Sequence, residues 1–194
     1  LTLPRSDGTL YNFRTNIGKS QSRGVEAFLE WQPLQKTGKS SQKLDFSFFI
    51  SFSYTHAIYK SYRLYRKLQG DEWVEANLRN NRVENAPGSI FRGGVTLTCK
   101  QSTLTTQWSA VAGTFADANN TKEPSANAQA GWIPGYQLLD LTFTSSISSH
   151  LQLRAGLNNL FNVRYFTRRA GGYPGPGALP GEGRSCFFTI ILRS

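Results

Sequence analysis

The sequence predicts an all-β protein, an antiparallel transmembrane β-barrel of about eight meander strands with short periplasmic turns and long extracellular loops. Three observations predict it. Apolar residues alternate with polar ones at period two along almost the whole chain, helical periodicity is nowhere sustained, and the connections alternate between short and long. The 194 residues suit a single unit. Aromatics reach 13% while charged residues, at 18%, fall below the roughly 25% of ordinary soluble domains, which argues against disorder. The richest apolar run, Phe46 to Tyr54, is interrupted by Ser47, Ser51 and Ser53, so nothing approaches the roughly 18 apolar residues of a membrane helix.

The elements follow in chain order. Tyr11 and Phe13 alternate with Asn12 and Arg14 in a first short strand. Val25, Ala27, Leu29 and Trp31 then oppose Glu26 and Glu30. From Leu44 the residues Phe46, Phe48, Ile50, Phe52 and Tyr54 share one face, and Asp45, Ser47, Ser51, Ser53 and Thr55 share the other, with Phe49 as the exception. A strand of about ten residues is what a bilayer crossing at a tilt of roughly 45° requires. Further on, Phe91, Val95 and Leu97 oppose Arg92, Thr96 and Thr98, and Leu104 and Trp108 oppose Thr105 and Gln107. Leu139, Leu141 and Phe143 stand against Asp140, Thr142 and Thr144, and Leu151, Leu153, Ala155 and Leu157 against Gln152, Arg154 and Asn158. Phe188, Ile190 and Leu192 close the series, with their parity open.

Lys100 to Thr103 and Ser145 to Ser149 are tight polar turns, and Gln32 to Gln42 is moderately longer. Ala57 to Pro87, Ala116 to Gly135 and Asn162 to Arg184 are far longer than hairpin turns, and such connections are typically functional. A soluble β-sandwich also alternates, but its strands run about five or six residues with a turn signal every 8 to 12. Trp31, Tyr54, Trp108 and Tyr136, at strand ends, suit interfacial aromatic girdles.

The net charge of +10 suits nucleic acid, anionic lipid or an anionic solute. A nucleic-acid binder would mix aromatic and basic residues on one face, and these strands segregate them. Cys99 and Cys186 lie far apart and read as structural; with only His56 and His150 to assist, no metal-ligand spacing exists. Cys99 falls at a short turn and Cys186 just after a long loop, which predicts thiols a membrane thickness apart. His56 and His150 flank opposite membrane faces, so no nucleophile and base converge and no enzyme is predicted. Asp71 and Glu72 read as a solvated face beside lysines and arginines, and Gly175-Pro176-Gly177 lacks the helix a phosphate loop needs. Glu26, Glu30, Arg92, Asp140 and Arg154 read as lumen-facing wall pairs that satisfy one another. The chain contains no methionine, which predicts a processed front end or a piece of something longer.

Four segments carry a resemblance. Gly156 to Phe166, GLNNLFNVRYF, resembles the penultimate-strand signature N-N-L-F-(D/N)-x-x-Y of TonB-dependent outer-membrane receptors. Thr167 to Ser185 is similar to the last extracellular loop of ferric-citrate-type receptors of the Bacteroidetes type. Asn16 to Glu26, NIGKSQSRGVE, resembles N-x-G-x-x-x-x-x-G-V-E, and Asn85 to Gly94, NAPGSIFRGG, resembles N-x-P-x-x-x-x-x-G. The resemblance implies that residues 1–194 are the C-terminal part of a 22-stranded receptor barrel, with the plug domain and N-terminal strands outside this chain. The family usually ends in an aromatic residue, and Ser194 departs from that, which predicts a truncation or an added tail.

Transport of a ferric chelate such as ferric citrate across the outer membrane is the implied function, with the TonB complex as partner through the plug and no cofactor. A collar of basic residues in the long loops fits an anionic chelate, because guanidinium groups bind carboxylates bidentately. The expected ligand-binding residues are Arg63, Arg66, Tyr165, Arg168, Arg169 and Tyr173. Adjacent Arg168 and Arg169 cannot both face the lumen from an extended segment. The Gly- and Pro-rich stretch from Gly171 to Gly181 predicts an irregular loop whose prolines limit its freedom. Rim arginines equally suit lipopolysaccharide phosphates, making lipid and lipopolysaccharide the other expected partners. The rival reading is a complete eight-stranded barrel acting as anchor or adhesin, in which Leu10 to Asn16 would pair with the strand after Cys186.

Overall fold

The computed structural model describes residues 2–4, 10–12, 18–32, 44–67, 73–172 and 176–193. Its strands are β1 (Thr2–Pro4), β2 (Leu10–Asn12), β3 (Gly18–Trp31), β4 (Leu44–Lys67), β5 (Trp73–Asn77), β6 (Ser89–Cys99) and β7 (Ser102–Val111). After these come β8 (Thr114–Phe115), β9 (Trp132–Ile133), β10 (Tyr136–Ser146), β11 (Leu151–Asn158), β12 (Phe166–Ala170), β13 (Gly177–Pro180) and β14 (Ser185–Leu192). No helix long and apolar enough to cross a membrane occurs among the described residues.

One antiparallel sheet dominates, in the order β14-β11-β10-β7-β6-β4-β3, with β5 added to the upper part of β4. The long strands β3, β4, β6, β7, β10, β11 and β14 lie side by side in sequence order, the meander that period-two alternation produces, while β5, β8, β9, β12 and β13 fall in the connections between them. The first predicted strand differs. Leu10–Asn12 pairs with Thr2–Pro4 as a separate hairpin and not with the main sheet. Phe13, the other apolar residue expected there, lies outside the described residues, as do Asp71, Glu72, Tyr173, Gly175 and Ser194.

The register gives the sheet two chemically distinct faces. Leu29, Ile50 and Gly93 are aligned, as are Phe46, Leu97 and Leu104, then Phe143 and Ala155. Ile190 stands opposite Leu153 on this same face, which fixes the parity of the last strand. The opposite face carries Ser47, Thr96, Thr105 and Thr142, with Thr96 and Thr105 hydroxyls 3.3 Å apart. Only Leu78, Ile133 and Ala170 are buried apolar residues among those described, whereas Val25, Leu29, Phe188 and Ile190 are more than half exposed. A single layer with its apolar face outward is the opposite of a sandwich core and matches a wall that meets lipid.

Phe49, the exception to the alternation, lies on the inner face opposite Gly94. Its ring fills the space above Gly94, where an added Cβ would sit 2.4 Å from the ring. The missing side chain of one strand therefore makes room for an aromatic of the next, and Phe28 stacks on Phe49 from the other side at 6.4 Å.

The two tight turns expected at one end are present, at Lys100 and Gln101 and at Ile147 to His150, and Lys100 adopts φ 53°. Cys99 adjoins the first of these turns, and Cys186, second in β14, stands opposite Leu157 at the long-loop end; both thiols are free. The long connections are less irregular than expected. Strand β4 continues for 24 residues to Lys67, so the expected loop from Ala57 to Pro87 begins as an extended hairpin with β5. The Gly- and Pro-rich last loop forms the hairpin β12–β13, with Phe166 facing Pro180 and Ala170 facing Gly177.

Candidate luminal mouth

At the long-loop end, the inner face and the last loop converge. Tyr136 aligns with Val111, and Val111 with Ile90, on the inner face. Its expected place in an outer aromatic girdle is thus corrected: Tyr136 opens a strand whose even positions face inward. Its ring packs at a tilt against Tyr165 of the last loop, with centroids 4.3 Å apart. Arg92 pairs with Ser109, one inward-facing position below the Tyr136 row, roughly 7 Å along the strand. Among the others, Trp31, Tyr54 and Trp108 do lie on the outward face and are 53%, 47% and 42% exposed.

The last loop is tied at its base by asparagines. Asn159, φ 49°, accepts from Val163 N at 2.8 Å on its side-chain oxygen and donates Nδ2 to Val163 O and Glu182 O at 2.9 and 3.1 Å. Its backbone N–H donates to Asp140 Oδ1 at 2.7 Å. Asn162 Oδ1 accepts from Arg184 N at 3.1 Å, and the Arg184 guanidinium reaches Leu160 O at 3.5 Å. The signature segment therefore closes the loop stems upon each other, because asparagine tolerates the left-handed backbone and mimics a peptide group in its side chain.

The long connections also bind one another. Asn120 Nδ2 donates to Arg82 O at 2.8 Å while its Oδ1 accepts from Arg82 N at 2.7 Å. Asn81 donates to Ala118 O. Asp117 organises its own loop, accepting from Thr121 Oγ1 at 2.9 Å, from Gly131 N, and from the amides of Asn119 and Thr121. Burial alone pushes the Asp117 carboxyl up, but these donors outweigh it and hold the group below the usual carboxylate range.

The residues expected from sequence fall out unevenly. Arg169 donates from Nη1 to Ala128 O at 3.1 Å and from Nη2 to Trp132 O at 3.2 Å, and it lies over the Phe166 ring at 4.9 Å. It pins the hairpin β12–β13 to the preceding loop, helped by Gln129 donating to Gly171 O. Arg168, its neighbour, is exposed. Arg63 and Arg66 sit in the part of β4 paired with β5, opposite Asn77 and Val74; their side chains, like all of Tyr173, lie outside the described residues.

The expected wall pairs are also corrected. Asp140 is engaged by Asn159, and Arg154 lies 5.6 Å from the centre of the Phe187 ring. Asp140 thus takes a backbone donor and Arg154 an aromatic face, where each was expected to hold an opposite charge. No group of three or more His, Cys, Asp or Glu among the described residues is placed to hold a metal ion.

The family profile "TonB dependent receptor-like, beta-barrel" matches residues 2–160. The chain belongs to that family. Its receptors are transporters of the bacterial outer membrane and not enzymes. No curated protein sequence matches the chain. Among solved structures, the siderophore receptor PiuA from Acinetobacter baumannii aligns with TM-score 0.69 and 18% identity over 98% of this chain and 24% of that one. The unliganded ferric citrate transporter FecA aligns with TM-score 0.63 and 18% identity over 89% and 29%. The outer membrane transporter YddB from Escherichia coli aligns with TM-score 0.64 and 14% identity over 99% and 28%. At these identities the likeness is one of fold, and the chain spans about a quarter of the length of these proteins. In a TonB-dependent receptor barrel, the inner face is the lumen wall and the long connections form its mouth.

Proposed function

We propose that residues 1–194 form the C-terminal part of a larger TonB-dependent receptor barrel that imports a ferric chelate such as ferric citrate, with plug and remaining strands supplied elsewhere in the molecule. The observation that carries this reading is the mouth: the tilted Tyr136–Tyr165 pair on the lumen side, Arg92 beneath it, and exposed Arg168 on the hairpin above. Rigid aromatic area beside guanidinium donors suits a compact anion rich in carboxylates. Arg169 supports Arg168 from below by holding the hairpin, and Arg63, Arg66 and Tyr173 are proposed to complete the collar. Coupling to the TonB complex would run through the plug.

Among the described residues, neither outer edge of the sheet, on β3 or on β14, has a strand partner, and Leu10–Asn12 pairs with Thr2–Pro4. That favours a larger barrel over the small anchor or adhesin. On the outward face, Arg23 stands opposite His56, two residues above the Val25–Tyr54 row, where outer-leaflet phosphates of lipid and lipopolysaccharide would lie.

The test is R168A in the intact receptor, with ferric citrate binding measured at matched surface expression. Loss of one charge-assisted contact is expected to weaken binding by about 1.5 to 3 kcal/mol. Unchanged affinity would remove Arg168 from the site.

A further inference from the structure

We infer that Asp140 and Asn159 are positioning residues that set the place of the Tyr165 ring and link the lumen wall to the mouth. Asn159 is 4% exposed, one of two buried polar residues among those described. Every hydrogen-bonding group it has is used: to the outgoing stem at Val163, to the returning stem at Glu182, to Asp140, and through its carbonyl, which accepts from Asn162 N at 2.8 Å. Tyr165 follows Val163 by two residues, and Gly181 precedes Glu182.

Gly181 N donates to Tyr165 O at 2.9 Å, and the Tyr165 ring occupies the place a Gly181 Cβ would take, 2.2 Å away. The knot therefore grips both stems beside the ring and presses it onto Tyr136. Tyr136 and Asp140 share β10 and its inner face, so one strand holds the ring at one end and the knot four residues along.

Asp140 also lines two open luminal recesses, one with Gln107, Thr142 and Arg154, the other with Arg92 and Phe49. A cationic group entering the lumen competes with Asn159 N–H for this carboxylate. Drawing Asp140 away releases an amide whose only other outlet is solvent, and the stems loosen around Tyr165. The presence of such a cationic group in the lumen is thereby read at the mouth. The functional consequence rests on the proposed capture role of Tyr165; the geometric one does not.

The experiment compares D140N, which keeps an acceptor oxygen, with D140L, which removes it, in the intact receptor, with barrel assembly checked by heat-modifiability. Amide hydrogen exchange at Asn159, Val163 and Gly181 is read without ligand, and ferric citrate affinity separately. D140L is expected to speed exchange at these three amides by about tenfold or more, with D140N close to the parent. Parent-like exchange in an assembled D140L barrel overturns the inference. Faster exchange with unchanged ferric citrate affinity upholds it and counts instead against capture by Tyr165. Should D140L fail to assemble, G181A crowds the same ring from the other stem: faster exchange at Val163 supports the linkage, and parent-like exchange overturns it.

Discussion

Asp117 shows how much one side chain can organise. A single carboxylate takes four donors from its own loop, and burial is outweighed by them, so its folded pKa lies below the unfolded value. A depressed carboxyl stabilises the folded loop fully above the unfolded pKa of about 3.9 and loses that contribution as the pH falls through the folded value. The loop should therefore hold at neutral and mildly acidic pH and loosen only below about pH 4. Trp132, which packs edge-on against Phe115 at the base of this loop, is the reporter. The fluorescence difference between the parent and W132F should change in that acid window, and D117N should already show the loosened signal at pH 7. A D117N signal equal to the parent at pH 7 would mean the four donors are held by the loop without the charge.

At the scale of elements, the strands that meet lipid were legible because one face excludes charge: Val25, Ala27, Leu29 and Trp31 align with Tyr54, Phe52, Ile50 and Phe48 as the alternation requires. Ile50→Arg should accordingly impair assembly, at about 2 to 4 kcal/mol for a midplane arginine in lipid, whereas Ser47→Arg, opposite Thr96 on the inner face, should be tolerated. Equal heat-modifiability of the two variants would contradict the assignment of faces. What the alternation could not reveal lies above the membrane. Beyond Tyr54 the pattern mixes small, polar and aromatic residues, so the continuation of β4 to Lys67 left no one-sided apolar signal. The hairpin β12–β13 was hidden by Gly177 and Pro180, which read as breakers yet sit in an edge pair where neither a side chain nor an N–H is needed. Arg169 was visible as a charge in a loop, but its partners, Ala128 and Trp132, lie some forty residues away and come into reach only after the meander forms. The asparagines of the signature are legible as a pattern; their work in closing the stems depends on Asp140 of the neighbouring strand.

For the whole molecule, the decisive fact is that neither outer strand of the sheet has a second strand partner among the described residues. Strands β3 and β14 each present one row of backbone donors and acceptors without a strand partner among the described residues, and both carry exposed apolar side chains such as Leu29 and Ile190. In lipid an unsatisfied peptide group costs several kcal/mol, so such an edge survives only when another strand covers it. Curling the sheet onto itself would satisfy both edges, but seven long strands would close around a space that the inner-face aromatics Phe28, Phe49 and Phe187 would then have to share with Arg92 and Arg154. The proposed larger barrel instead places new strands against both edges and leaves the inner face lining a wide lumen. Residues 1–194 directed alone to the outer membrane should therefore yield no heat-modifiable monomer, whereas the same residues within the intact receptor should be protected as part of one folded barrel. Recovery of a stable, protease-resistant monomer from residues 1–194 alone would show that the edges close on each other, and the small anchor or adhesin would replace the receptor wall as the reading of this chain.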